Sequence, residues 1–137
     1  MTSRIELKVP SQLVFLGVPD AVLVEVANDL QCEQKVVDEL STSVIEACTN
    51  AMEHGNKLDE NNLVEVHFDF FETAIEVTVY DNGPGFDFDG WQPPTDLMRE
   101  RGRGILIMRE FSDEITFGKA EDGRFRVQLR KNFAPPA

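Results

Sequence analysis

The chain has 137 residues, a formal net charge of −12, and 42% hydrophobic and 28% charged residues. That length supports one core without disulfides or metal, so a single domain over 1–137 is expected, and the composition is that of an ordinary globular protein. The charge weighs against a nucleic-acid partner, and neither a membrane-spanning apolar run nor a secretory leader pattern is read, which makes a cytoplasmic location the expectation.

In chain order, Ile5, Leu7 and Val9 alternate with Glu6 and Lys8, the period of a half-buried strand ended by Pro10. Pro19 suits the first turn of a helix running to about Leu30. Cys32 and Cys48 are too few for a disulfide framework and read as reduced structural thiols.

A clearer helix spans about Glu33 to His54. Val37, Leu40, Val44, Ala47, Cys48 and Ala51 fall on one side of it, and Glu39, Ser43, Glu46, Asn50 and Glu53 on the other. Gly55-Asn56 supplies a stop. Val64 to Phe70 and Ile75 to Val79 alternate as a hairpin, followed by an irregular stretch from Asp81 to about Arg101 of a length that is usually functional or mobile. A short helix from Ile105 to Phe111 and a hairpin turning at Asp122-Gly123 complete the chain. Five strands and three main helices predict an α/β two-layer sandwich: a mostly antiparallel, mixed sheet with helices on one face.

Three constellations carry chemistry. Four-residue spacing aligns Glu46, Asn50 and His54 on one helical face. Such polar stripes are common on solvated helices, but Asn is mildly unfavourable inside a helix, and its amide oxygen is a hard neutral ligand suited to Mg²⁺. Glu46, one turn earlier, can accept a proton from an attacking hydroxyl. Asp81-Asn82-Gly83-Pro84-Gly85 follows a strand; alone it is a turn, yet Asp81 also offers an acceptor to the exocyclic amine of adenine, with room beside Gly83 and Gly85. Arg101-Gly102-Arg103-Gly104 precedes Ile105, where glycine N–H groups at a helix start and neighbouring Arg charge make an anion nest.

Taken in order, an Asn-bearing helix, Asp-x-Gly-x-Gly after a hairpin, a variable loop and Gly-x-Gly before a helix resemble the GHKL ATPases over about Ile5 to Lys131. The wording Glu46-Ala47-Cys48-Thr49-Asn50-Ala51 and Arg101-Gly102-Arg103-Gly104-Ile105, with Asp113-Glu114, is most similar to bacterial anti-sigma-factor serine/threonine kinases. The resemblance implies a Bergerat-type ATP-binding fold, with Glu46 as base, Asn50 on Mg²⁺ and Asp81 on adenine. It also implies a nucleotide pocket formed by Gly83, Gly85, Arg101, Gly102, Arg103, Gly104 and Ile105, and an ATP lid between Phe86 and Arg101. The implied partners are an anti-anti-sigma protein phosphorylated on Ser or Thr, a sigma factor that is sequestered, and a second copy in a homodimer. Two alternatives are a regulatory module that uses ATP only to hold a partner-binding shape, and a detached histidine-kinase catalytic domain. Glu46 favours a kinase over the first, and the lack of a preceding helical region with a phosphoacceptor His disfavours the second.

Overall fold

A computed structural model of the chain describes residues 3–85 and 99–134, apart from the side chains of 99–102. Strand β1 (Ser3–Pro10) leads through a 3-10 turn at Leu13–Phe15 into helix α1 (Gly17–Asp29). Pro19 lies in the first turn of α1, where its missing N–H loses no intrahelical bond. Helix α2 (Gln34–Asn50) continues into one π-helical turn, Ala51–Gly55. Strands β2 (Leu63–Phe70) and β3 (Ala74–Asp81), helix α3 (Arg99–Phe111), and strands β4 (Glu114–Lys119) and β5 (Phe125–Asn132) follow.

The five strands form one sheet in the order β1-β2-β3-β5-β4, and all four ladders are antiparallel. Alternation sends Val64, Val66, Phe68 and Phe70 of β2 to the same face as Ile75, Val77 and Val79 of β3 and Phe125, Val127 and Leu129 of β5. All ten are buried in the core. Against this face lies α2, whose Val37, Leu40, Val44, Ala47 and Cys48 are buried as their spacing predicts, with α1 and α3 packed on α2. Both cysteines are free thiols, and burial pushes the Cys48 thiol up to about 12.

The opposite face of the sheet carries charge arranged in rows across the strands. Arg4 Nε donates to Asp69 Oδ1 at 2.7 Å and Arg4 Nη2 to Asp69 Oδ2 at 3.1 Å, while Arg130 Nη1 donates to Glu76 Oε1 at 2.6 Å. Asp69 lies opposite Glu76 in the register, and each is matched by an Arg from its other neighbour. Among the described residues, no helix is long and apolar enough to cross a membrane.

Two local expectations are corrected. Helix α3 begins at Arg99 rather than at Ile105; Arg99, Glu100, Arg101 and Arg103 are good helix formers, and two glycines at about 1 kcal/mol each do not stop them. Ser43, assigned to the polar face of α2, is fully buried, because α1 and α3 enclose α2 beyond the width of the stripe that faces the sheet.

Phe68 is fully buried at the centre of β2, its ring stacked 6.3 Å from that of Phe70. Phe68→Ala should destabilise the fold by about 3–5 kcal/mol, the usual cost of an aromatic cavity. Urea denaturation measures it, and a loss below about 1 kcal/mol would contradict the central position of this ring.

Candidate functional site

Helix α2 delivers Glu46 and Asn50 on successive turns, and α3 packs across them through a position without a side chain. A Cβ on Gly104 would lie 2.8 Å from Glu46 Oε2 and 3.3 Å from Asn50 Nδ2. The glycine therefore lets the α3 backbone reach the carboxylate and the amide together, a use of glycine for close approach. It sits inside α3, so its N–H belongs to the helix ladder and the nest expected at a helix start is not formed at Gly104.

Partial burial under α3 raises the Glu46 carboxyl above its ordinary value; the positive charge of Arg103 opposes this, and Glu53 adds to it. Ile105, one residue on, is buried in the core and anchors α3 by its side chain. The side chain of Arg101, the surroundings of Gly102 and residues 86–98, which hold most of the expected lid, lie outside what the structure describes.

A second group forms where α2 ends. The π turn closes with Asn56 N–H donating to Ala51 O at 2.8 Å, and Leu58 N–H donates to Met52 O at 2.7 Å. Lys57 and Leu58 follow in left-handed backbone, φ 53° and 57°, a conformation that costs about 1–3 kcal/mol per non-glycine residue and gathers at functional sites. This sharp reversal brings Gly55 against the end of β3. A Cβ on Gly55 would lie 2.5 Å from Asp81 Oδ1 and 2.6 Å from Oδ2, and one on Gly83 would lie 2.6 Å from the Cα of Gly55.

Asp81 itself is only 4% exposed. It ends β3 on the core side of the sheet, opposite Phe125, and its Oδ1 accepts the Gly83 N–H at 2.8 Å. Since a carboxylate accepts several hydrogen bonds, this contact fixes the group and is compatible with a ligand donor. Gly85 has φ +70°, and a Cβ there would lie 2.6 Å from Cε1 of Phe125, so both backbone and space require glycine.

The structure thus gathers Glu46, Asn50, Arg103 and Gly104 between α2 and α3, and Asp81, Gly83 and Gly85 at the end of β3. His54, expected on the Glu46 face, lies in the π turn, where the four-residue register no longer holds. Sequence reasoning missed Gly55, which packs against the Asp81 carboxylate, and the buried pair Ser11 and Asn56, whose side chains hydrogen-bond at 2.9 Å. Gly55-Asn56 carries a visible signal, but it reads as a helix stop; Ser11 carries none.

The glycines separate by what surrounds them. Gly83→Ala presses on main chain and should cost about 1–3 kcal/mol, as overpacking does. In Gly104→Ala the new methyl meets only the ends of the Glu46 and Asn50 side chains, which can shift, and helix propensity returns about 1 kcal/mol. Thermal melts should show Gly83→Ala destabilised and Gly104→Ala at or above the parent; the reverse order would refute these contacts.

Residues 16–131 match the model of the histidine kinase-like ATPase domain. The serine-protein kinase RsbW of Bacillus subtilis is 38% identical over 120 residues, covering 81% of this chain and 75% of that protein. RsbW of Bacillus velezensis is 34% identical over the same shares. Among solved structures, the RsbU and RsbW domains of a Mycobacterium tuberculosis protein superpose with a TM-score of 0.71 at 14% identity. That alignment covers 98% of this chain but 33% of the larger protein. The SiaB–SiaC complex of Pseudomonas aeruginosa gives 0.63 at 15% identity over 93% of this chain and 88% of the other. These two likenesses carry the fold, and the sequence matches carry the family: the chain belongs to the histidine kinase-like ATPase domains, among the serine-protein kinases of the RsbW kind.

Proposed function

We propose that this chain, as one ATPase domain over 1–137, transfers the γ-phosphoryl group of ATP to a Ser or Thr of an anti-anti-sigma protein and also sequesters a sigma factor. The reading extends to a cytoplasmic homodimer. One observation carries the chemistry: a half-buried Glu46 with a raised pKa stands beside Asn50, both under Gly104 of α3. A pure binding module has no use for a base held in that place. The family match, and the structural likeness to a protein solved in complex with its partner, support the partner-directed part.

The donors suit Mg²⁺ and ATP. Asn50 offers a neutral oxygen of the kind Mg²⁺ takes alongside phosphate oxygens and water, and the nearby Glu46 and Arg103 leave the local charge mixed. When bound, the ion would offset the charge of the phosphate oxygens. Asp81, held by Gly83 N–H, would accept the adenine amine, with Gly83 and Gly85 leaving room for the base. Arg103 would face the phosphates beside Glu46, with Arg101 and Gly102 assigned to the same pocket, Gly104 giving α3 its close approach and Ile105 holding α3 in place.

In the transfer, the partner's hydroxyl oxygen forms a bond to the γ-phosphorus as the bond from that phosphorus to the β–γ bridging oxygen breaks. Glu46 takes the hydroxyl proton, and ADP leaves. Burial raises the Glu46 pKa, which makes it a stronger base than an ordinary exposed carboxylate.

Glu46→Gln keeps the size of the side chain and removes most of its basicity. Partner phosphorylation followed with radiolabelled ATP should fall about 10²–10⁴-fold while nucleotide binding persists. Transfer at the parental rate would remove Glu46 from the mechanism.

The pH dependence has a definite sign. Burial raises the Glu46 pKa and Arg103 lowers it, so removing that positive charge lets it rise further. In Arg103→Gln the acid limb of the rate profile should move to higher pH. A limb that stays in place or moves to lower pH would contradict the pairing.

A further inference from the structure

Asn56 is 5% exposed and makes more hydrogen bonds than any expectation drawn from the sequence requires. Its Nδ2 donates to Ser11 Oγ at 2.9 Å and approaches the carbonyls of Asn62 and Leu63 at 3.4 and 3.3 Å. Ser11 Oγ in turn donates to Asn62 O at 2.5 Å. On its other side, Asn56 Oδ1 accepts the main-chain N–H of Asn82 at 2.8 Å. The amide has one consistent orientation, because a flip would set its oxygen against three oxygens and its NH₂ against an N–H. One side chain thus joins the end of β1, the entry to β2, the π turn and the exit from β3.

Asn82 stands between Asp81 and Gly83. Its N–H is the main-chain donor next to the Asp81 carboxylate, and Gly83 N–H is the donor that the carboxylate itself holds. Fixing the Asn82 peptide therefore restricts the rotation of the Asp81–Gly83 backbone on which the carboxylate direction depends. Gly55, directly before Asn56, closes the other side of that carboxylate.

We propose that Asn56 is a positioning residue for nucleotide selection: by holding the Asn82 main chain it aims Asp81 at the exocyclic group of the base, and so sets the preference for adenine over guanine. This rests on the assignment of Asp81 to adenine above. The Ser11 end of the network anchors Asn56 to the sheet without touching Asn82, which gives a control that separates aim from stability. A hydrogen bond to a charged group is strong enough for its loss to change affinity about tenfold or more.

The test measures the dissociation constants of Mg·ATP and Mg·GTP, with melting temperatures, for the parent, Asp81→Asn, Asn56→Ala, Ser11→Ala and the Asp81→Asn/Asn56→Ala double variant. Asp81→Asn should lower the preference for ATP about tenfold or more, and Asn56→Ala about three- to tenfold. Ser11→Ala should lower the melting temperature and leave the preference within about twofold of the parent. In the double variant, Asn56→Ala should add no further loss of preference, since both act through one carboxylate. An unchanged preference in Asp81→Asn would overturn the adenine assignment and this proposal together. A changed preference in Asp81→Asn with none in Asn56→Ala, or an equal loss in Ser11→Ala, would overturn the proposal alone. Should Asn56→Ala not fold, hydrogen exchange in the parent decides: the Asn82 amide should exchange far more slowly than an exposed loop amide, and rapid exchange would overturn the proposal.

Discussion

The site depends on the end of α2 touching the end of β3 main chain to main chain. Gly83 lies so close to Gly55 that a Cβ would come within 2.6 Å of its Cα. No side chain fits that junction, so both positions are glycine. The π turn follows from the same demand, since the extra residue it inserts carries Gly55 onto Asp81 before the left-handed pair Lys57-Leu58 turns the chain away. Asp81 and Asn56 are then buried side by side, and each needs a fixed partner: Gly83 N–H for one and Asn82 N–H for the other.

The junction also explains why α2 serves both core and chemistry. Val37, Leu40, Val44, Ala47 and Cys48 hold it on the sheet. That anchorage places Glu46 and Asn50 on the side reached by α3, where Gly104 closes over them. Lys131 Nζ donates to Glu39 Oε2 at 2.6 Å, fastening the same helix to β5. On the far face of the sheet, Arg4 with Asp69 and Arg130 with Glu76 match opposite charges across strands, so part of the acidic excess of the chain is locally neutralised. These pairs are partly exposed, and their value lies more in register than in net stability.

Periodicity made much of this visible in advance. The 3.6-residue spacing of α2 identified core positions that are all buried, and the alternation of β2 and β3 identified the inner face of the sheet. Asp81, Gly83 and Gly85 alone read as a turn, and they were picked out because, with the Asn-bearing helix before and Gly-x-Gly after, their order resembles the GHKL layout. The rest depends on contacts that local pattern does not carry. The start of α3 was misplaced because Gly102 and Gly104 resemble a helix boundary, whereas Gly104 answers to Glu46 and Asn50 on another helix. Ser43 seemed polar-facing because a helical wheel does not show two flanking helices. Asn56 is an ordinary C-cap residue by sequence, and its role comes from the main chain of Asn82, a residue far from it in the chain.

The proposed function puts Asn50 and Asp81 in one nucleotide site spanning the α2–β3 junction, with Asn50 as the metal ligand. Calorimetric titration of the parent and Asn50→Ala with ATP, in Mg²⁺ and in chelator, tests this most directly. The account predicts that the parent binds ATP with an affinity that rises when Mg²⁺ is present, and that Asn50→Ala loses most of that gain, about tenfold or more. Equal affinity of the parent in Mg²⁺ and chelator, or an Asn50→Ala variant that binds Mg·ATP like the parent, would contradict it.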